Sequence, residues 1–227
     1  YFKPSETYKP TVFDSNLSDS KIWEKSGIWK PSVFGDIMDM PTKDTFTLEA
    51  LSDNSFHIAV CGNVGKISAV SDGIAVYYTK VPVKDDFIFS ASMKINNYFL
   101  NDQVSFGLMV RDDMYIDKVT PDILGDYVAA APLLLTHENA PANCFARKSG
   151  KLVEGPVTGF AIEEGKEYSL VLSSSQDGYM AQFADGPEVT GGYDFKLTAI
   201  DPAHVYVGMF AARNVDVTFY DIKWEDC

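Results

Sequence analysis

Hydrophobic and polar residues alternate along most of this chain, and a sustained helical period is almost absent. The alternating segments are short and rich in valine, isoleucine, phenylalanine and tyrosine, the composition of half-buried strands. Turn residues separate them, for example Asn96 with Asn97 and Ser149 with Gly150. The pattern predicts strands within residues 73–79, 87–95, 104–110, 168–172, 179–183, 205–211 and 215–222.

The number and spacing of these segments predict the fold class. About a dozen short strands exceed an immunoglobulin domain and are typical of a two-sheet antiparallel β-sandwich of the jelly-roll type. With 227 residues, 46% of them hydrophobic, the chain is large enough for one well-packed core. We therefore expect an all-β single domain over residues 1–227. Residues 1–54 are less regular and carry Pro4, Pro10, Pro31 and Pro41, so we expect them to pack on the sandwich as an irregular part.

The charge and hydropathy of the chain bear on its partners. A formal net charge of -13, without a lysine or arginine stripe, repels phosphates, so we expect no nucleic acid partner. The longest apolar runs, 127–135 and 205–212, are interrupted and too short for a membrane span, so we expect a soluble protein without membrane insertion. The first residues lack an initiator methionine and a signal-like segment, which fits either a removed signal peptide or an excised domain.

Several segments together suggest a family. They are SDGIAVYYT (71–79), QVSFGLMVRDDM (103–114), GDYVA (125–129), FARKSG (145–150) and VYVGMFAARN (205–214). Over roughly residues 55–224 the chain resembles the concanavalin A-like accessory domains of large secreted bacterial polysaccharide-degrading enzymes, particularly the pectate-lyase type. The resemblance implies a concanavalin A-like jelly roll, an extracellular location and carbohydrate binding. Fold analogy is a weak guide to the ligand, so the binding site has to be argued from residues.

Three arginines are candidates for ligand binding. Alternation places Arg111 on the face opposite Phe106, Leu108 and Val110. Arg147 and Arg213 also end apolar strands, so the three guanidinium groups could gather on one sheet face and bind the carboxylates of a uronate polysaccharide. The alternative is that each arginine pairs with a nearby acid at a strand end.

An acidic cluster directly follows Arg111. Asp112, Asp113 and Asp117, with Asp122 and Asp126 further on, offer the oxygen ligands that a structural calcium ion accepts. The chain has no EF-hand pattern there, and acidic loops are often merely solvated. We expect a structural calcium ion with Asp112, Asp113 and Asp117 as its ligands.

Sugar binding also needs an aromatic surface, because a pyranose ring presents an apolar face. Trp29, Tyr78 and Tyr115 are our candidates, and most of the other aromatic side chains are expected in the core. Three cysteines, Cys61, Cys144 and Cys227, lack a zinc or redox spacing and are expected to be plain thiols, with a Cys61–Cys144 bridge as the alternative.

Enzymatic activity has little support in the sequence. The Glu-x-Asp-x-Glu strand of jelly-roll glucanases and a Gly-x-Ser-x-Gly elbow are both missing. A uronate lyase could draw on a histidine base, but none of His57, His137 and His204 lies in a Gln-x-His strand. We therefore predict a non-catalytic carbohydrate-binding module that keeps an attached or cognate enzyme on plant cell-wall polysaccharide, with a uronate-containing polymer of the pectin type as the candidate ligand. A polysaccharide lyase acting on uronate polymers and a ligand-free spacer or cell-surface adhesion domain remain the alternatives.

Overall fold

The computed structural model describes residues 29–39, 45–68, 72–99, 103–114, 125–133, 142–155 and 162–227. These residues form fourteen strands, β1 to β14 in chain order, and one short 3-10 helix at Gly35–Asp39. The strands build two sheets, and the pairings within the described ranges are antiparallel. The predicted all-β, two-sheet sandwich of the jelly-roll type is confirmed.

The first sheet has eight strands, in the order β1-β5-β13-β7-β8-β9-β10, with the short β4 also paired to β5. Its central strands are long and apolar, because they are buried on both faces. The strands are β1 (Lys30–Phe34), β4 (Lys66–Ile67), β5 (Asp72–Pro82), β7 (Ser105–Arg111), β8 (Tyr127–Leu133), β9 (Ala142–Lys148), β10 (Lys151–Glu154) and β13 (His204–Ala212).

The second sheet has six strands, in the order β12-β11-β6-β14-β3-β2. Its strands alternate in burial, and β11 is the clearest case, since every second side chain from Tyr168 to Ser174 is buried. The strands are β2 (Phe46–Ser52), β3 (Ser55–Val60), β6 (Phe87–Tyr98), β11 (Glu167–Ser175), β12 (Gly178–Phe183) and β14 (Val215–Asp226).

The main core lies between the two sheets. Phe106, Leu108 and Val110 of β7 face Phe89 and Leu170 of the six-stranded sheet, and all five are fully buried. Burying a side chain of this size contributes about 1.5–3 kcal/mol to stability. Phe106, Leu108 and Val110 share one face of β7, as the alternation predicted.

The two sheets differ on their outer sides. The outer face of the eight-stranded sheet carries a second buried cluster, which includes Phe34, Met109, Tyr127, Phe145 and Phe210. The outer face of the six-stranded sheet is polar and partly exposed, as the alternating burial of β6 and β11 shows. Within the described ranges, the outer side of the six-stranded sheet is therefore the accessible sheet face, and we refer to it as the open face.

The described part of residues 1–54 includes two strands. Residues 30–34 form an edge strand of the eight-stranded sheet, and residues 46–52 form an edge strand of the six-stranded sheet. Pro31 is tolerated because an edge strand leaves one side of its backbone without a ladder partner. Among the described residues, no helix is long and apolar enough to cross a membrane.

Candidate functional site

Arg111 and Arg147 meet on the outer side of the eight-stranded sheet, as the strand pattern predicted. Both are aligned with Tyr127 of β8, which lies between their strands. The two arginine side chains are buried, with residue exposures of 1% and 0%. The predicted gathering of guanidinium groups on one sheet face is therefore observed for this pair, but it occurs beneath the surface of the domain.

The carboxylate of Asp72 joins the two guanidinium groups. Arg147 donates from Nη2 to Oδ1 at 2.6 Å and from Nη1 to Oδ2 at 2.7 Å, and Arg111 Nη1 donates to Oδ2 at 3.0 Å. The ring of Tyr127 lies 4.7 Å from the Arg147 guanidinium carbon and 5.3 Å from that of Arg111. Such bidentate, aromatic-stacked geometry is specific for arginine.

The electrostatics of this cluster keep both arginines charged. Burial works to lower the pKa of Arg111, but Asp113 and Asp72 outweigh it and raise that pKa. The same opposition between burial and Asp72 raises the pKa of Arg147. Asp72 occupies the guanidinium nitrogens that a uronate carboxylate would need. The geometry therefore does not support ligand binding by Arg111 and Arg147, which stays a prediction.

Asp112 and Asp113 are buried beside this cluster. Asp113 Oδ1 accepts from Arg111 Nη2 at 3.2 Å, while both oxygens of Asp112 and Oδ2 of Asp113 are buried without a hydrogen-bond partner. Burial, reinforced by the charge of Asp113, raises the pKa of Asp112 to about 7. A Cβ at Gly125 would overlap the Asp113 carboxylate, so a larger residue there would displace this side chain.

These oxygens suit a cation or a shared proton. Calcium takes six to eight oxygen ligands, so it would need donors besides these two residues. Within the described ranges no group of three or more histidine, cysteine, aspartate or glutamate side chains could hold a metal ion. Asp117 and Asp122 lie outside the described residues. Asp126 accepts from the backbone nitrogens of Ser149 and Gly150 instead.

Arg213, the third arginine, lies away from the other two, at one end of the sandwich. It donates from Nη1 to Gln103 Oε1 at 2.7 Å and from Nη2 to the carbonyl oxygen of Asn63 at 3.2 Å. Asn214 exchanges amide hydrogen bonds with Asn63 at the same end. The expectation that all three arginines share one face is therefore wrong for Arg213. This residue follows the last residue of β13, whereas Arg111 pairs with Tyr206 near the first residue of that strand.

The predicted aromatic residues are placed differently from one another. Trp29 is half-buried and packs on Phe89, with ring centroids 5.3 Å apart, so it joins the main core. Tyr78 is buried in the outer cluster of the eight-stranded sheet, 6.1 Å from the ring of Tyr206. Neither is placed as a ligand platform in this conformation, and Tyr115 lies outside the described residues.

Cys144 and Cys227 are free thiols, as expected, so the alternative Cys61–Cys144 bridge is not formed. Cys144 is buried, whereas Cys227 is exposed.

The open face carries a continuous polar surface that the sequence pattern alone did not indicate. Strand pairing aligns outward residues in rows that cross the sheet. One row contains Glu49, His57, Thr218, Lys94 and Glu167, and the next contains Ser55, Tyr220, Ser92 and Ser169. Six strands about 4.8 Å apart give a face about 24 Å wide, enough for an extended ligand.

His57 is fixed within this face by two carboxylates. Its Nε2 donates to Asp216 Oδ1 at 2.6 Å, and its Nδ1 lies 3.6 Å from Glu49 Oε2. The hydrogen bond to Asp216 is the main reason why the pKa of His57 is raised above 6.5. Asn96 ties the network to Thr218 through hydrogen bonds of 2.9 Å to Asp216 and 2.8 Å to Thr218 Oγ1. Both ring nitrogens of His57 therefore lie beside carboxylates of the open face.

Tyr220 is the aromatic side chain of the open face among the described residues. Its neighbours in β14, Phe219 and Val217, point into the core, so alternation turns Tyr220 outward. Burial, with a hydrogen bond to Glu167, raises its pKa, and Ser92 also hydrogen bonds to it. The alternation in β14 is plain in the sequence, so the position of Tyr220 opposite the apolar side chains could have been predicted. The sequence did not show which of the two sheets has the accessible face.

Comparison with known proteins gives the chain a family context. Residues 37–132 match the model of a family described as the pectate disaccharide-lyase N-terminal domain. The chain is 28% identical over 215 residues to pectate lyase L of Thermoclostridium stercorarium, covering 86% of this chain and 17% of that protein. It is 21% identical over 238 residues to pectate disaccharide-lyase of Dickeya chrysanthemi, covering 90% of this chain and 31% of that protein.

The chain thus spans less than a third of the length of these curated relatives. A solved structure from Bacillus subtilis, of unknown function with a galectin-like fold, superposes with a TM-score of 0.50 at 12% identity and covers 96% of this chain and 98% of its own. That likeness concerns the fold alone. The resemblance to accessory domains of pectate-lyase-type enzymes is confirmed by the family match and by both relatives.

Proposed function

We propose that this chain is a non-catalytic carbohydrate-binding module that holds an attached catalytic domain on plant cell-wall polysaccharide outside the cell. The observation that carries the proposal is the match of residues 37–132 to the N-terminal domain of a pectate disaccharide-lyase. Both curated relatives are named as pectate lyases and are several times longer than the matched region, which supports a module in a larger secreted protein.

The open face supports the binding role. Serine, threonine and asparagine side chains with one tyrosine can hydrogen bond to sugar hydroxyls and pack on a pyranose face. Affinity need not be high, because tethering raises the effective concentration of the linked enzyme at its substrate. A module of this kind would act only by keeping the linked enzyme close to its substrate.

The experiment is affinity gel electrophoresis of the chain against a panel of cell-wall polysaccharides, with the ultraviolet absorbance of unsaturated uronates followed in parallel. We expect retardation by at least one polymer and no increase in absorbance. Rising absorbance would make the protein a lyase, the activity for which both relatives are named. Absence of retardation by every polymer would contradict carbohydrate binding and favour a spacer.

Structural calcium at Asp112 and Asp113 is a second part of the proposal. It is supported by the three buried carboxylate oxygens that lack hydrogen-bond partners. A calcium ion binding only the folded state stabilises it by about 2.7 kcal/mol at a hundredfold excess over Kd. We expect calcium, but not magnesium, to raise the thermal midpoint of the wild type and to leave that of Asp112→Asn unchanged. An equal midpoint in calcium and in chelator would show that a shared proton satisfies the pair.

A further inference from the structure

We propose that the open face binds a neutral polysaccharide and disfavours polyuronates. The inference rests on the carbohydrate-binding function proposed above and names the ligand class of that site. It follows from the acids and lysines that lie on the open face and from the arginines that lie elsewhere in the domain.

Acids outnumber lysines on the open face. Its described residues include the acids Glu49, Glu167, Asp216 and Glu225 and the lysines Lys94 and Lys223. The cations are also set beside acids: Lys94 is the cross-strand partner of Glu167, and Lys223 lies two residues from Glu225 on β14. His57 is held between Asp216 and Glu49. A carboxylate on an incoming sugar would therefore meet acids on this face.

The three arginines of the chain lie elsewhere. Arg111 and Arg147 are buried on the other sheet and bind Asp72. Arg213 donates to Gln103 and to the Asn63 carbonyl oxygen at the end of the sandwich. The forked guanidinium group that recognises carboxylates is thus not presented on the open face. The field of the whole chain, with a formal charge of -13, acts in the same direction against a polyanion.

The remaining side chains of the face suit uncharged sugars. Hydroxyl and amide groups lie close to Tyr220: Ser92 and Ser169 belong to its own row, and Ser90 and Gln182 belong to the neighbouring row. Hydroxyl groups both donate and accept, so they match sugar hydroxyls without requiring a charge on the ligand. Tyr220, held by Ser92 and Glu167, supplies a ring for the apolar face of a pyranose.

The inference is tested by isothermal titration calorimetry of the full chain with soluble galactan, arabinan, xyloglucan and polygalacturonate. Each titration is made in chelator at low and at high salt, because binding to a charged polymer weakens as salt screens it. Tyr220→Ala removes the ring of the open face. Phe99→Ala is the matched control, since Phe99 is 67% exposed and lies at the end of the sandwich beside Asn214.

We expect binding to one or more neutral polymers with less than a twofold change in Kd between the two salt concentrations. Tyr220→Ala should weaken it at least tenfold, and Phe99→Ala should leave it within twofold. Salt-sensitive binding to polygalacturonate would overturn the neutral-ligand inference and leave the carbohydrate-binding proposal standing. Failure to bind any polymer would overturn both. Neutral binding that survives Tyr220→Ala would overturn the placement of the ligand on the open face.

Discussion

Single side chains decide which charges of this domain are available to a partner. Arg111 and Arg147 are the residues that the sequence marks most clearly for a ligand, and Asp72 binds both of them in the interior. Tyr220 attracts less notice in the sequence but lies on the open face. The position of a residue in the sheets, more than its type, therefore decides whether its side chain is accessible to a partner.

Replacing Asp72 tests the structural role of the buried arginines. Asp72→Ala leaves two buried guanidinium groups without their shared carboxylate, so we expect a loss of about 3–5 kcal/mol in the free energy of unfolding. Asp194→Ala is the control, because its side chain is 80% exposed and should change stability by less than about 0.5 kcal/mol. Denaturant titration measures both.

A loss below about 1 kcal/mol for Asp72→Ala would show that the arginines do not depend on this carboxylate. If that variant does not accumulate as folded protein, Asp72→Asn keeps the shape and removes only the charge.

His57 predicts a pH dependence of stability. Its pKa is raised above 6.5 in the folded protein, chiefly by Asp216, so its contribution is complete below pH 6.5 and is lost as pH rises through the folded pKa. We expect the free energy of unfolding to fall over that interval in the wild type. His57→Gln should remove this step, and an unchanged pH profile in that variant would contradict the assignment.

At the scale of strands, the close approach of backbones in the eight-stranded sheet limits what substitutions it tolerates. Gly107 of β7 has a φ of 153°, and a Cβ there would overlap the carbonyl oxygen of Ala130 and lie 2.8 Å from the Cβ of Ala131. These atoms belong to the neighbouring strand β8, whose backbone cannot move aside without breaking the ladder.

Gly107→Ala is therefore expected to destabilise the domain by about 2–4 kcal/mol through overpacking and backbone strain. Gly191→Ala is the matched control, because a Cβ at Gly191 would meet nothing within 4 Å. Its midpoint in a thermal melt should stay close to that of the wild type. Equal effects of the two substitutions would contradict the described pairing of β7 with β8.

The sequence reveals strands well and their partners poorly. Alternation predicted that Arg111 would turn away from Phe106, Leu108 and Val110, and the structure agrees. It could not predict Asp72 as the partner of Arg111, because 39 residues separate the two in the sequence. Their strands, β5 and β7, come close only because both pair with β13 in the sheet. The local pattern determines on which face of the sheet a side chain lies, whereas the strand order determines which side chains it contacts there.

For the whole molecule, the difference between the two sheets is the central feature. The eight-stranded sheet is buried on both sides, and its outer cluster encloses the ionic network of Asp72. The six-stranded sheet has one apolar and one polar side. The sequence predicted a sandwich of two sheets, but it did not reveal which sheet is left accessible, because both kinds of strand contain alternating segments.

The location of a bound oligosaccharide on the domain is the decisive measurement for ligand binding by the open face. Backbone amide shifts of the isotope-labelled chain, recorded during titration with an oligosaccharide of the polymer that retards it, report which residues sense the ligand. We expect shifts along β6, β11 and β14, centred on Ser92, Ser169 and Tyr220. Shifts concentrated instead on β7, β8 and β9, around Arg111 and Arg147, would contradict this expectation and would place the ligand on the opposite sheet.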